Sequence, residues 1–267
     1  MKATTRPTLG LVATLAILFT SLAATTIAAQ QPTPKRQILA IGGRTFPGAD
    51  SDRLLLKHLL SLTGKKAPLV YHLPTAGGDS PVGLVTWYEH MNELDCRPRH
   101  LRLFNNWRGL KDMEAKLLSA DAIFVGGGNT MNMLAIWKAH GVDRILRKAW
   151  ERGTVLAGES AGMICWFEQG VTDSRPDKLT ALDGLGFLKG SACPHYSNDA
   201  PRRPRYHEML LANEMKAGYA CDDGVALYFE DDRFVRAVGD GKGKAYRVRR
   251  YEDKVVEEVV KVEVLKK

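Results

Sequence analysis

The chain alternates between short apolar runs and longer segments in which apolar residues recur every three or four positions. The apolar runs predict buried strands at 37–43, 67–76, 99–104, 121–128 and 154–160. The longer segments predict helices at 51–64, 81–94, 110–118, 129–141, 142–153 and 161–169. Because strands that alternate with helices build a mainly parallel sheet with helices on both faces, the sequence predicts a three-layer α/β fold.

The pattern changes after about residue 218. The segments GVALYFEDD, RFVRAVGDG and AYRVRRYED have the pattern of hairpin strands, and VVEEVVKVEVL alternates with a period of two. The C-terminal part is therefore expected to be rich in β-hairpins. The chain shows no internal repeat, so we expect a single domain over 37–267, after a short linker at 30–36.

The first thirty residues differ from the rest. Lys2 and Arg6 are the only charged residues before Lys35, and the apolar stretch LGLVATLAILFTSLAATTIAA follows them. A basic start, an apolar middle and a small-residue end are typical of a secretory signal peptide. We therefore expect residues 1–29 to direct export to the periplasm or medium and to be removed. The alternative is an uncleaved membrane anchor, because a bilayer is spanned by roughly 20 apolar residues.

Charge and cysteine content narrow the function classes. The chain carries 38 basic and 30 acidic residues, but its positive charges are scattered and form no long basic run interleaved with aromatic residues. The sequence therefore predicts no nucleic-acid surface. Four cysteines, at positions 96, 165, 193 and 221, show no metal-binding spacing. We expect them to be buried free thiols, and we expect neither a metal nor a cofactor.

The segment Gly158-Glu159-Ser160-Ala161-Gly162 matches the G-x-S-x-G pattern, between a predicted strand and a predicted helix. Glycines at both ends allow a sharp turn that presents the serine hydroxyl at the end of the sheet. The N–H group after the serine then faces the reacting carbonyl. The pattern predicts that Ser160 is a nucleophile; the alternative is a tight strand–helix turn with a capping serine.

A serine hydroxyl needs a neighbouring base to act as a nucleophile. His195 follows an apolar segment and precedes a polar loop, which places it at the end of the sheet that also carries Ser160. We therefore predict His195 as the general base, with His207 as the alternative. Only 35 residues separate Ser160 from His195. This spacing argues against the α/β-hydrolase fold, in which we expect the histidine far downstream.

A second glycine cluster, at 126–128, follows the fourth predicted strand. No GK[ST] sequence follows it, so it is not a nucleotide-binding P-loop. It predicts a backbone that approaches substrate closely and supplies a second oxyanion donor. The alternative is a strand–helix turn that needs the dihedral angles open to glycine. In either case, Asn129 or Thr130 is placed to cap the next helix.

Four segments together resemble the peptidase E (aspartyl dipeptidase) family of serine peptidases, which includes the cyanophycinases. They are VGGGNT (125–130), GESAG (158–162), CWFEQGVTDS (165–174) and CPHYSND (193–199). The resemblance spans roughly residues 37–240. It implies a fold like that of the class I glutamine amidotransferases, with serine in place of their cysteine nucleophile.

The resemblance also implies residue roles. Ser160 would be the nucleophile and His195 its base, and the oxyanion hole would comprise Gly127 or Gly128 with the N–H of Ala161.

The third member of the triad would be Asp173, shortly after the nucleophile, as in peptidase E. Glu168 is the rival acid, because cyanophycinases use a glutamate.

Peptidase E cleaves dipeptides with an N-terminal aspartate, which an arginine after the catalytic histidine helps to hold. The resemblance implies this role for Arg203 first, then for Arg202 or Arg205, with Asn129 as a further substrate contact. A solvated basic loop is the alternative for these arginines. Glu159 departs from the family pattern, and its charge would repel an acidic substrate side chain or bind a substrate α-amino group.

The sequence thus predicts a metal-free serine exopeptidase acting on short peptides through an acyl-enzyme. One alternative is a cyanophycinase-like hydrolase of β-aspartyl-arginine links, and another is a non-catalytic amidotransferase-like binding module. The expected partner is a small peptide, with no nucleic acid and no stable membrane association once the leader is removed. A monomer and a homodimer both fit the sequence.

Overall fold

The computed structural model describes residues 1, 3, 34–45, 52–104 and 110–266. The predicted leader at 1–29 therefore lies outside the described residues, apart from Met1 and Ala3. The chain divides into two units, Met1–Thr33 and Pro34–Lys267, and the fold described below is that of the second unit. Within the described ranges, no helix has both the length and the apolar character needed to cross a membrane.

Fourteen strands and seven α-helices form the described part of the chain. The strands are β1 (Gln37–Ile41), β2 (Leu69–Leu73), β3 (Arg97–His100), β4 (Ala122–Val125), β5 (Val155–Glu159), β6 (Phe167–Thr172), β7 (Thr180–Asp183), β8 (Leu188–Cys193), β9 (Gly218–Cys221), β10 (Val225–Glu230), β11 (Arg233–Gly239), β12 (Ala245–Tyr251), β13 (Lys254–Val260) and β14 (Val262–Val264). The helices are α1 (Asp52–Leu62), α2 (Pro81–Met91), α3 (Leu110–Leu118), α4 (Thr130–His140), α5 (Val142–Glu151), α6 (Ala161–Ile164) and α7 (Arg202–Leu211).

The strands form two sheets. The larger has the order β14-β11-β10-β1-β5-β4-β2-β3, and the smaller has the order β13-β12-β9-β8-β6-β7. The five N-terminal strands, β1 to β5, are mutually parallel. Strand β10 pairs antiparallel with β1 and begins the hairpin edge. The predicted parallel sheet and the predicted C-terminal hairpins are both present.

Strand β1 shows why the larger sheet is covered on both faces. All five of its residues are buried. Ile38 and Ala40 point into one hydrophobic core, whereas Leu39 and Ile41 point into another. Since successive strand residues face opposite sides, a fully apolar strand needs a helical layer on each side. Helices α1 and α2 supply residues to one core, and α3, α4 and α5 supply residues to the other.

The structure corrects the sequence prediction at two points, one in each sheet. The helix predicted over 161–169 ends at Ile164, and Phe167–Thr172 is strand β6. Phe167, Gly170 and Val171 are buried because β6 lies between β7 and β8. The strand predicted at 99–104 instead covers Arg97–His100.

Residues Arg202–Leu211 form helix α7, where a solvated basic loop was one interpretation of the sequence. Its buried residues Tyr206, Met209 and Leu210 recur at helical spacing and join a third hydrophobic core on the smaller sheet. Tyr196, directly after His195, belongs to the same core and is fully buried. The chain around His195 is therefore anchored in packed protein.

All four cysteines are free thiols. Cys165, Cys193 and Cys221 are buried, and Cys96 is partly exposed.

Candidate active site

Ser160 occupies a strained turn between β5 and α6. Its φ of 53° and ψ of −110° lie in a region that non-glycine residues rarely adopt and that costs about 1–3 kcal/mol. Three backbone hydrogen bonds hold it there. Its N–H donates to the Ile41 carbonyl at 3.1 Å, and its own carbonyl accepts from the N–H groups of Met163 at 2.9 Å and Ile164 at 3.0 Å. The turn presents the Ser160 hydroxyl at the carboxyl end of the parallel strands.

The two glycines of this turn are required by close packing. A Cβ at Gly158 would lie 2.6 Å from the carbonyl oxygen of Gly162. A Cβ at Gly162 would lie 2.3 Å from the carbonyl oxygen of Val125, at the end of β4. The turn therefore packs directly on the neighbouring strand.

His195 lies within hydrogen-bonding distance of Ser160. Its Nε2 is 2.9 Å from Ser160 Oγ. The backbone of His195 also has a positive φ, 53°, and its N–H donates to the Gly42 carbonyl at 3.2 Å. The structure thus brings together the two residues that the sequence singled out as nucleophile and base.

Asp223 completes the arrangement. The Nδ1 atom of His195 is 2.6 Å from Asp223 Oδ1. Asp223 lies in the short connection between β9 and β10, and its side chain is only 13% exposed. The Asp223 N–H donates to Asn198 Oδ1 at 2.8 Å, which ties this connection to the loop after His195. A carboxylate on Nδ1 fixes the tautomer in which Nε2 can accept the serine proton.

The second glycine cluster lies against the nucleophile. A Cβ at Gly127 would be 3.2 Å from the Cβ of Ser160. Gly128 has a φ of 132°, and a Cβ there would lie 2.3 Å from the Ala76 carbonyl oxygen. Among the described residues, no hydrogen bond occupies the N–H groups of Gly127, Gly128 and Ala161. These groups are therefore available to an oxyanion beside Ser160.

A serine on a strained turn at the end of a parallel sheet, next to a histidine that an aspartate orients, is the geometry of a serine hydrolase. The model of peptidase family S51 matches residues 38–237. The chain belongs to peptidase family S51. It is a serine peptidase, and its substrates are peptides.

Relatives of this S51 peptidase carry peptidase names. The uncharacterized peptidase YgaJ of Bacillus subtilis (strain 168) is 44% identical over 223 residues, which cover 83% of this chain and 96% of that protein. A peptidase E of Shewanella denitrificans is 30% identical over 151 residues, covering 53% of this chain and 64% of that protein. A cyanophycinase of Synechococcus elongatus is 26% identical over 138 residues, covering 49% of this chain and 43% of that protein.

The fold of the S51 peptidase has a close counterpart among solved structures. The crystal structure of a peptidase from an acI-B1 actinobacterium superposes with a TM-score of 0.67 at 18% identity, covering 85% of this chain and 95% of that chain. The predicted resemblance to the peptidase E and cyanophycinase family and the predicted amidotransferase-like fold are confirmed.

The two acids predicted for the triad of the S51 peptidase do not contact His195. Asp173 is 65% exposed and pairs with Arg202 at 3.0 Å. Glu168 accepts from the Gly190 N–H at 2.8 Å, and this bond, more than the nearby lysines, lowers its pKa. Both residues belong to the β6 region of the smaller sheet, whereas the acid on His195 comes from the β9–β10 connection. A sequence signal for it existed: the acidic pair before Gly224, at a strand end.

The arginines predicted to hold a substrate carboxylate are engaged within the protein. Arg202 is 3% exposed and bridges Asp199 and Asp173. Arg203 binds Glu257 through two nitrogens.

The remaining predicted contacts also have internal partners. Arg205 pairs with Glu208 and Glu214. Asn129 caps α4 by accepting from the Asn132 N–H at 2.9 Å, one of the two caps that the sequence predicted for this helix. His207, the alternative base, bonds Tyr196 and Glu257 rather than Ser160.

A pocket of about 270 Å³ opens beside the Gly158–Gly162 turn, which we call the elbow. Its lining residues come from β2, β5, helix α2 and the loops after β2 and β4: His72, Pro74, Gly77, Ser80, Gly83, Thr86, Trp87, Gly126, Gly127 and Glu159. Burial raises the pKa of the Glu159 carboxyl, although hydrogen bonding to Thr45 opposes the shift. Burial lowers the pKa of His72 to about 4, so this imidazole is neutral at physiological pH.

The described residues contain no group of three or more His, Cys, Asp or Glu side chains placed to hold a metal ion.

Proposed function

We propose that this protein is an exopeptidase of short peptides that uses Ser160 as nucleophile, His195 as general base and Asp223 as the orienting acid. The proposal is carried by one observation: a continuous chain of hydrogen bonds runs from Asp223 Oδ1 through both ring nitrogens of His195 to Ser160 Oγ, over distances of 2.6 and 2.9 Å. Such a chain raises the nucleophilicity of an otherwise weak hydroxyl.

In the acylation step, Ser160 Oγ attacks the scissile carbonyl carbon and its proton passes to His195 Nε2. The carbonyl oxygen becomes an oxyanion, which accepts hydrogen bonds from the Ala161 N–H and from Gly127 or Gly128. Collapse of this intermediate breaks the C–N bond, and the leaving amine takes the proton from Nε2. The Asp223 carboxylate stabilises the imidazolium while it exists.

In the deacylation step, a water molecule gives a proton to His195 Nε2 and attacks the ester carbonyl of the acyl-enzyme. The second tetrahedral intermediate uses the same N–H donors. Its collapse returns the proton to Ser160 Oγ and releases the acid product. No step requires a group beyond the triad, the oxyanion donors and water.

An N-terminal aspartate preference receives no support from Arg202, Arg203 or Arg205, because their guanidinium groups bind carboxylates of the protein itself. The proposed substrate class is therefore short peptides, with the preferred first residue determined by other groups. A hydrolase of β-aspartyl-arginine links remains a second hypothesis of the same reaction class, and a substrate panel separates the two.

The decisive experiment is labelling with a serine-directed phosphonate, followed by mass mapping. We expect the label on Ser160 in the wild-type protein, none in Ser160→Ala, and strongly reduced labelling in His195→Ala and Asp223→Asn. Asp173→Asn is the matched control, since it makes the same chemical change at an acid remote from His195, and it should label normally. A folded wild-type protein that resists the probe and cleaves no peptide would contradict the proposal.

We also propose that the protein is exported and that its leader is removed after Ala28 or Ala29. The proposal is supported by the basic start and apolar run of residues 1–29. Expression of the full chain in a bacterium, followed by fractionation and N-terminal sequencing, tests it. A protein that retains Met1 and sediments with membranes would show that the segment is an anchor instead.

A further inference from the structure

The pocket beside the elbow is continuous with the reacting atoms. Gly127 lines this pocket and also lies against the nucleophile, since a Cβ on Gly127 would be 3.2 Å from the Cβ of Ser160. Glu159, which immediately precedes Ser160, lines it as well. A group bound in this pocket therefore belongs to the residue whose carbonyl Ser160 attacks, or to its immediate neighbour.

The Glu159 carboxylate has hydrogen-bonding capacity to spare. Its Oε2 accepts from the Thr45 N–H at 2.6 Å, and Thr45 is its only hydrogen-bonding residue among the described residues. An ionised carboxylate can accept about four hydrogen bonds. Part of that capacity is left for a ligand in the pocket.

His72 supplies a second acceptor. Its Nδ1 lies 3.2 Å from the Phe124 carbonyl oxygen. Because a carbonyl only accepts, Nδ1 must carry the hydrogen, and in the neutral ring Nε2 is then an acceptor. His72 lines the pocket, and within the described chain no hydrogen bond involves its Nε2. This ring nitrogen can therefore accept a hydrogen bond from a ligand in the pocket.

Among the described residues, no lysine or arginine lines the pocket, so the lining brings no positive charge of its own. The hydroxyls of Ser80 and Thr86 also line it, and a hydroxyl can accept a hydrogen bond from an ammonium. The ring of Trp87 stacks on His72, with centroids 4.6 Å apart, which holds the imidazole in place.

We propose that this pocket is a subsite for a cationic nitrogen of the substrate residue whose carbonyl Ser160 attacks, with Glu159 supplying the countercharge and His72 Nε2 a second acceptor. The inference rests on the proposed function and adds a preference for substrates that carry a positive charge at this position. A carboxylate and a neutral acceptor in one pocket favour an ammonium and disfavour an acidic side chain. The ammonium is either the α-amino group of an N-terminal residue or a basic side chain.

Binding to the Ser160→Ala protein, measured by calorimetry, separates these two sources without hydrolysis. Leucinamide against N-acetyl-leucinamide tests the α-ammonium, and N-acetyl-lysinamide against N-acetyl-norleucinamide tests the side chain. We expect the charged member of at least one pair to bind tenfold or more tightly than its neutral match. Adding Glu159→Gln should remove that difference, and adding His72→Gln should reduce it.

Glu89→Gln is the matched control, since Glu89 is an exposed acid on α2 outside the pocket lining. It should leave the tenfold difference intact. Equal affinities within both pairs, no binding of any probe, or a difference that survives Glu159→Gln would each overturn the proposal.

The two proposals fail in distinguishable ways. If the ammonium probes bind as expected but the wild-type protein cleaves none of the corresponding dipeptides, the peptidase mechanism fails and the cation site stands as a ligand site. If the wild-type protein cleaves peptides that Ser160→Ala does not, with no charge preference that depends on Glu159, the mechanism stands and the subsite is refuted.

Discussion

Asp223 Oδ1 lies 2.6 Å from Nδ1 of His195, although 28 residues separate them along the chain. The two residues come from different connections: His195 follows β8, and Asp223 follows β9. Strands β8 and β9 pair in parallel, so their carboxyl ends lie side by side. The parallel pairing places base and acid within one hydrogen bond of each other.

Replacing Asp223 by asparagine should therefore reduce turnover far more than either acid predicted from the sequence. We expect kcat to fall by about 10³- to 10⁴-fold, because an amide can favour the wrong imidazole tautomer and cannot stabilise the imidazolium. Asp173→Asn and Glu168→Gln should retain kcat within about twofold. Steady-state hydrolysis of a dipeptide checks all three, and a large loss in Asp173→Asn alone would contradict the assignment.

Gly127→Ala should reduce activity more than stability. Its Cβ would meet the Ser160 Cβ at 3.2 Å, so the elbow must shift by a few tenths of an ångström. Small misplacements at a reacting centre cost up to about 10²-fold in rate. We expect a comparable loss of kcat, with a melting temperature close to that of wild type.

Gly128→Ala provides the contrast, because its φ is 132° and its Cβ would lie 2.3 Å from the Ala76 carbonyl. That variant should be markedly destabilised. Equal melting temperatures for Gly127→Ala and Gly128→Ala would contradict this prediction, because they would show that the loop after β4 can move to make room for a Cβ at position 128.

Glu159→Gln should stabilise the fold at alkaline pH. Burial raises the pKa of this carboxyl in the folded state, so between the unfolded pKa of about 4.3 and the raised folded value the native protein holds more protons. Stability is then lost as pH rises through that window. Glutamine stays neutral and keeps an acceptor for the Thr45 N–H.

Thermal unfolding between pH 4 and pH 8 checks this prediction. The melting temperature of Glu159→Gln should exceed that of wild type at pH 8, and the gap should close toward pH 4. A variant that is less stable than wild type by a constant amount at every pH would refute it.

Glu257→Gln should have the opposite pH dependence. Burial alone would raise the pKa of Glu257, but hydrogen bonds from Arg203, Tyr196 and His207 outweigh it and lower the pKa. The stabilisation is therefore present above the unfolded pKa and lost as pH falls through the folded one. Hydrogen bonds to a charged group contribute about 1.5–3 kcal/mol, so we expect a loss of that size at pH 7.

Denaturant unfolding at pH 7 and at pH 4 measures this loss and its decline on acidification. Glu258→Gln is the control: its carboxylate pairs with Arg249 on an exposed surface and is 50% exposed. Exposed pairs contribute little, so this neighbour should change stability by less than about 1 kcal/mol. Equal losses of unfolding free energy in Glu257→Gln and Glu258→Gln would show that the hydrogen bonds around Glu257 stabilise the fold no more than an exposed ion pair does.

The sequence predicted the parallel sheet and the elbow because both leave local signals. A run such as QILAI, buried at every position, and glycines two residues on either side of Ser160 can be recognised without knowing what packs around them. Asp223 left a weaker signal, because its role depends on the pairing of β8 with β9. The roles of the arginines on α7 likewise depend on distant partners such as Asp173 and Glu257.

The hydrogen-bonded chain of Asp223, His195 and Ser160 depends on contacts between distant parts of the sequence. Strand β10, which follows Asp223, pairs with β1 at the beginning of the domain. A chain truncated before β10 would keep Ser160 but would lack the pairing that holds Asp223 beside His195. The proposed nucleophile and base are therefore oriented only once nearly the whole domain has folded, wherever that folding takes place.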